Sequence, residues 1–306
     1  MGLHVSNAPH VFAKETTRTL MLDVILALLP TTLAGAFIFG LRALLHVGIA
    51  IAAAVLGEYA YQKLTHKPVQ IADLSAAVTG MLVGLNMPVN APLWIPLIGS
   101  FAAIVLAKEL FGGIGDNFMN PALTARAILM VSWPLALTSY TLPVFSLGLH
   151  ADAVSSATVL GGLEATPLQM FLGFIPGAIG EVSKAAILIG FLYLLLRGVI
   201  SWRIPVIYVG SYALLALALG NDALAGVLSG GMLFGAIFMA TDYTTSPMTH
   251  KGQALYAIGC GLLTCLIRNF GAYPEGVTFA ILLMNIATPL IDKYVKGGKV
   301  YGKGKK

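Results

Sequence analysis

Charge is what this sequence has least of. Asp, Glu, Lys and Arg make up 10% of the 306 residues, against 58% hydrophobic residues, and the mean hydropathy is +0.86. Soluble domains carry about 25% charged residues, so the composition excludes a water-soluble domain and implies an integral membrane protein. Cysteine is almost absent, with Cys260 and Cys265 the 2 in the chain. On one apolar helix they point about 140° apart, which argues against a disulfide or a shared metal. They read as small core residues, the alternative being a thiolate near a partner's metal. His4, His10, His46, His66, His150 and His250 lack the paired spacing of a metal or haem site. There is no phosphate-binding loop, no Gly-x-Gly-x-x-Gly and no Ser/His/Asp arrangement.

Apolar runs are abundant. A bilayer core about 30 Å thick needs roughly 20 apolar residues per helix. Such stretches lie near 18–41, 44–62, 72–87, 93–111, 119–135, 184–197, 203–219, 223–240, 254–268 and 277–291, some shortened by Pro or Gly. The expected fold is all-α and polytopic, with ten transmembrane helices in two inverted five-helix repeats, 18–135 and 184–291. A tail at 1–17, a loop at 136–183 and a basic tail at 292–306 complete it. The first eighteen residues lack the apolar stretch of a cleavable signal, so the first helix is expected to be retained. With both termini in the cytoplasm, only Arg42, Lys184 and Arg268 of the 18 Lys and Arg fall outside. The 136–183 loop, with Asp152, Glu164 and Glu181 and no Lys or Arg, then faces outward. The basic tail, source of the net charge of +5, reads as an anchor on anionic lipid rather than a nucleic-acid site.

Each half has a polar, Pro-containing break after its third helix: Gly84-Leu85-Asn86-Met87-Pro88-Val89-Asn90-Ala91-Pro92 and Ala240-Thr241-Asp242-Tyr243-Thr244-Thr245-Ser246-Pro247. A helix stopped by Pro leaves carbonyls and amides unpaired, and inside a membrane only protein or a water-lined cavity satisfies them. Simple surface turns would read the same way. Asp242, Thr244, Thr245 and Asn90 are the candidate ion pathway, their oxygens suited to a hard cation. Among the other ionisable residues in or beside spans, Asp23 is expected to pair with Arg126 and Glu58 with Lys108. Asp73 and Glu109 belong to the same set, several of which lie close enough to an interface to be solvated.

The stretch Asp152-Ala153-Val154-Ser155-Ser156-Ala157-Thr158 reads Asp-x-x-Ser-x-Ala-Thr. It resembles the acceptor site at which a flavin transferase esterifies FMN, through its phosphate, to a threonine hydroxyl. The resemblance implies Thr158 as the acceptor, with small residues before it. Downstream, Gly173-Phe174-Ile175-Pro176-Gly177-Ala178-Ile179-Gly180-Glu181 leads to Lys184 and a helix start. Gly-rich backbone and a cation at a helix N-terminus suit a phosphate, with Glu181 bonding the ring or backbone; an ordinary capped helix start is the plainer reading.

These motifs, with Ser6-Asn7-Ala8-Pro9-His10, the run from Met21-Leu22-Asp23 to Pro30, Asp116-Asn117-Phe118-Met119-Asn120-Pro121-Ala122 and the Thr241–Pro247 break, resemble the RnfD family. This is the D subunit of the Rnf complex, and the B subunit of the sodium-pumping NADH:quinone reductase is similar. The likeness spans nearly the whole chain. It implies a flavin-bearing membrane subunit of an ion-translocating ferredoxin:NAD+ oxidoreductase in a prokaryotic cytoplasmic membrane. Its implied cofactors are covalent FMN on Thr158 and a second, noncovalent flavin. Its implied partners are the other subunits, a flavin transferase and the lipid bilayer. In one departure, Ser156 stands where the family commonly has Gly, so Ser155 and Ser156 are alternative hydroxyls. The rival readings are a passive channel or small-solute transporter, and a subunit that only scaffolds redox partners.

Overall fold

The computed structural model describes residues 16–143, 155–156, 158–271 and 275–295. Asp152 and Ala157 of the expected acceptor motif lie outside the described residues, as do the side chains of Ser155 and Ser156. The first half contains α1 (Thr17–Phe39), α2 (Leu41–Leu64), α3 (Ser75–Leu85), α4 (Trp94–Ala107), α5 (Pro121–Ser132) and α6 (Pro134–Thr138). The second contains α7 (Pro167–Leu172), α8 (Lys184–Leu196), α9 (Arg203–Ala218), α10 (Ala223–Leu228), α11 (Met232–Phe234), α12 (His250–Phe270) and α13 (Val277–Tyr294).

Local chemistry sets the element boundaries. The Thr16 hydroxyl accepts from the Thr19 N–H at 3.3 Å and the Thr19 hydroxyl from the Thr16 N–H at 2.9 Å, a reciprocal cap that starts α1. Asn120 caps α5 through its side-chain oxygen, and Pro121 follows at the first helical position, where its missing N–H costs nothing. Gly40, at φ 83°, turns α1 into α2 in a conformation that other residues avoid.

Four segments are long and apolar enough to cross a membrane: α1, α2, Trp94–Phe111 and α13. α3, α5, α8 and α9 are apolar but shorter. α3, with 11 residues, rises only about 16 Å and stops at Asn86. Many large apolar side chains point outward, among them Leu33, Phe37, Leu56, Leu135 and Leu214. Such a surface fits lipid and does not fit water.

The expected helix over 223–240 is not continuous. It divides into α10 and α11 at Ser229-Gly230-Gly231, and α11 runs on through a π-helical turn, Gly235–Met239. Gly230 takes φ 57° there. The carbonyls freed at the break are bound by Arg268 of α12, which donates to Gly226 O at 2.5 Å and Ser229 O at 3.2 Å. The stretch 136–183 likewise has structure of its own. It contains an antiparallel ribbon of Tyr140–Thr141 (β1) and Ser155–Ser156 (β2), a 3-10 turn at Val159–Gly161, and α7, which Thr166 and Gln169 cap reciprocally.

In the packing, α2 is flanked by α3 and α4, α4 by α5, α9 by α12, α12 by α13, and α1 by α8. Small residues allow the closest approaches. A Cβ on Gly80 would stand 2.6 Å from Ala50 O, and one on Gly84 2.7 Å from the Val47 Cα, so α3 meets α2 backbone to backbone. The ends of the two halves join at the centre. Gly180 N–H donates to Leu85 O at 2.7 Å and Ile179 N–H to Met87 O at 3.0 Å, so the segment before α8 satisfies the carbonyls where α3 stops.

Asp23 does not pair with Arg126. Since α1 lies against α8, its carboxylate meets Arg197, at 3.1 Å, and the Tyr193 hydroxyl, at 2.8 Å. Glu58 and Lys108 do pair, at 2.9 Å, and Lys108 also donates to the Ser75 hydroxyl at 2.6 Å.

Candidate functional site

Two polar regions lie within the apolar bundle, and the sequence-predicted residues divide between them. The first surrounds Thr158. This half-buried residue follows the β2 ribbon, and its carbonyl accepts from Gly161 N–H at 2.8 Å and Leu163 N–H at 3.1 Å. Its hydroxyl does not cap the 3-10 turn that follows. Thr158 lines a small pocket with Ile175, Pro176, Glu181, Gly230 and Glu275. Thr158 and Glu181, both picked out from sequence, are thus brought together.

Behind this pocket is a buried network centred on Arg126. Its guanidinium donates to Asn86 Oδ1 and to Glu275 Oε2, and the Tyr140 hydroxyl donates to Glu275 Oε1. Glu181 Oε1 accepts from Ala178 N–H at 3.0 Å, whereas Oε2 is buried without a hydrogen-bond partner, 3.9 Å from Arg126. Lys184, fully buried at the start of α8, donates to the carbonyls of Glu181 and Gly230 and lies behind the pocket wall. Arg268 donates to the Glu275 carbonyl at 3.1 Å. Two buried cations, Arg126 and Lys184, therefore face two buried carboxylates, Glu181 and Glu275, with the half-buried Arg268 bound to the carbonyl of Glu275. Burial, then the neighbouring Glu275, raise the Glu181 carboxyl above the ordinary range. Burial and the same carboxylate hold the Tyr140 phenol well above its own.

Gly180 supplies contact rather than chemistry. A Cβ there would stand 2.7 Å from the Leu85 side chain and 3.2 Å from Leu85 O, so its role is to let the segment lie against the end of α3.

The second region is a cavity of about 400 Å3, lined by Ser75, Lys108, Asn117, Asn120, Asp242 and Thr244 among apolar residues of α1, α3 and α8. Asp242 Oδ2 accepts from the Thr244 hydroxyl at 3.1 Å and the Thr245 hydroxyl at 3.2 Å. The Asn117 amide donates to the Thr244 hydroxyl at 2.9 Å, and the Asn120 amide to Met239 O at 3.2 Å. Asp242, Thr244 and Thr245 thus form one constellation. Asn90 lies elsewhere, next to Ala91, whose carbonyl is 2.9 Å from His46 Nε2. The buried amide of that break is Asn86, on Arg126.

Glu275 is the residue that sequence reasoning missed. Its signal is a single carboxylate in Tyr273-Pro274-Glu275-Gly276, between two apolar stretches, where a charge needs a partner.

Residues 4–301 match the model of the NQR2, RnfD, RnfE family. The chain is 48% identical over 312 residues to the D subunit of the Na(+)-translocating ferredoxin:NAD(+) oxidoreductase complex of Acetobacterium woodii, covering 99% of this chain and 96% of the relative. It is 43% identical over 314 residues to the D subunit of the proton-translocating ferredoxin:NAD(+) oxidoreductase complex of Clostridium ljungdahlii, covering 95% and 94%. With the D subunit of the ion-translocating oxidoreductase complex of Stutzerimonas stutzeri it shares 38% over 331 residues, covering 95% and 93%. Matched from end to end by relatives of nearly its own length, the chain belongs to the NQR2, RnfD, RnfE family.

Proposed function

We propose that this chain is the flavin-bearing membrane subunit of an Rnf-type complex, which couples electron transfer between ferredoxin and NAD+ to translocation of Na+ or H+. The observation that carries the reading is Thr158, half-buried at the pocket whose rear is the Arg126 network, in a chain whose relatives are named as D subunits of such complexes. Those names argue against a passive channel. They differ over the ion, sodium in one and proton in the other, so likeness alone does not choose it.

The residues around Thr158 fit an FMN phosphodiester. The threonine hydroxyl is not spent on the following turn, and the half-buried Arg268, whose bonds go to carbonyls and a tyrosine hydroxyl, leaves the network one positive charge that favours an anion beside it. Bound there, the cofactor would supply electron transfer; Thr158 would tether it, and Arg126 and Lys184 would balance the phosphate charge through the wall. A second, noncovalent flavin has a fitting place in the 400 Å3 cavity. Lys108, with one N–H left after Glu58 and Ser75, supplies a donor there, and Asp242 and Thr244 supply acceptors, for the polar edge of a planar ring. The same Asp242, Thr244 and Thr245 oxygens make this end the proposed ion pathway.

The reading places both termini in the cytoplasm and Thr158 outside, in a prokaryotic inner membrane among the other Rnf subunits, with a flavin transferase needed for maturation. Two inverted repeats fit the like packing of α2, α4 and α5 and of α9, α12 and α13. A short helix in each half, α3 and α11, also fits them.

Mass spectrometry of the peptide spanning 152–163, from chain co-expressed with a flavin transferase, tests the attachment. The FMN mass increment is expected on wild type and absent from Thr158→Val. An increment that persists in Thr158→Val moves the site to Ser155 or Ser156, and wild type without flavin refutes the reading.

A further inference from the structure

We propose that Glu181 is a proton-binding site: its Oε2 takes up one proton from the pocket it shares with Thr158 and releases it to the same pocket. The observation behind this is the oxygen itself. Glu181 lines the Thr158 pocket and is 3% exposed; its Oε1 is held by Ala178 N–H, and its Oε2 accepts no hydrogen bond, the nearest cation being Arg126 at 3.9 Å. A buried ionised oxygen with no donor is costly, and the site has a route to remove that cost.

A proton is the ligand that fits. A metal cation needs several oxygens, and those nearby are engaged. Both Glu275 oxygens are taken, by Arg126 and Tyr140. Gly230 O is taken by Lys184 and Ser229 O by Arg268. A metal would also bring its charge beside the guanidinium, whereas a proton needs one oxygen only. Space is confined in the same sense, since a Cβ added to Gly231 would stand 3.0 Å from Oε2.

The groups facing Glu181 set its affinity. Arg126 from α5 and Lys184 from α8 favour the ionised form, and Glu275 favours the protonated form; Arg268 from α12 acts on Lys184. Asn86 accepts from Arg126 and Tyr140 donates to Glu275, and neither contributes a charge. A negative charge added at Thr158 tips this balance toward protonation. This second step rests on the flavin reading: a phosphodiester, and then each electron placed on its cofactor, would raise the proton affinity of Glu181. Electron arrival would thereby draw a proton from the water on that side, and electron departure would return it.

The test is pH-difference infrared spectroscopy of the full chain in vesicles, first prepared without a flavin transferase so that the proton site is read apart from the flavin. Wild type is expected to show a carboxylic acid C=O band that titrates with external pH. The band should be absent from Glu181→Gln, shifted in Glu181→Asp, and displaced in Gly231→Ala by the methyl group set against Oε2. A band that survives unchanged in Glu181→Gln, or one removed only by Glu275→Gln, overturns the proposal. If Glu181→Gln does not fold, an unshifted band in both Glu181→Asp and Gly231→Ala overturns it as well. Repeated on flavinylated chain, the titration midpoint should rise by about one pH unit. A midpoint that stays put refutes the link to Thr158 and leaves the proton site standing.

Discussion

Replacing Lys108 by Met should destabilise the protein more than almost any other single change. The ammonium lies 2.9 Å from Glu58 Oε1, and the two side chains are 4% and 1% exposed. At that separation, and an effective dielectric of about 20, the gross attraction is about 6 kcal/mol. Without Lys108 the carboxylate keeps a single donor, the Gln62 amide at 3.2 Å, and its Oε2 already has none. The expected cost is therefore about 3–5 kcal/mol, at least a hundredfold in the folded-to-unfolded ratio on a scale of about 1.4 kcal/mol per tenfold. In Glu58→Gln/Lys108→Met both charges are gone, and stability should return to within about 1.5 kcal/mol of wild type, since the penalty is an unpaired charge and not lost packing. Reversible unfolding in mixed detergent micelles, run on all four members of the cycle, measures it. A Lys108→Met loss below about 1 kcal/mol, or a double variant as unstable as Lys108→Met, would refute the reasoning, because the pair would then be hydrated or structurally idle.

Three further expectations use the same assay. Arg197→Gln should cost less than about 1 kcal/mol, because its side chain is 56% exposed even though it meets Asp23; a loss above about 2 kcal/mol would place that pair in a dry interface. Gly84→Val should cost about 1–3 kcal/mol or more, since its side chain would meet the α2 backbone at Val47, while Gly210→Val, with nothing within 4 Å, should be close to neutral. For Glu181, whose carboxyl is raised in the fold by burial and Glu275, the folded state binds the proton more tightly than the unfolded chain. The stabilisation is therefore complete below the unfolded value near 4.5 and is lost as pH rises through the folded one. The melting temperature of wild type relative to Glu181→Gln should fall with rising pH, and a difference that grows with pH would contradict the sign.

Much of this was open to reading from apolar runs and punctuation. The runs near 18–41, 44–62, 93–111 and 277–291 lie over the four helices long enough to span, and Pro88 and Pro247 follow short helices. The Glu58–Lys108 pair was likewise legible, because a charge in an apolar run requires an opposite one. What was hidden depends on which helices meet. Arg197 was no more evident a partner for Asp23 than Arg126 until α1 lay on α8. The division of 223–240 at Ser229-Gly230-Gly231 depends on Arg268, far along the chain, taking up the freed carbonyls. Glu275 escaped notice because periodicity says which face of α5 carries Arg126 but not what reaches it from the loop before α13.

The bonds from Ile179 and Gly180 to Met87 and Leu85 also constrain how the molecule is made. During synthesis α3 is made before its terminal carbonyls have partners, and the donors arrive only once the segment beyond α7 has left the ribosome. Until then the end of α3 must be wetted or held by the insertion machinery. A ribosome stalled between α5 and α7 should leave a first half that detergent extracts but that proteases still cut near Asn86, and release of the stall should close that site.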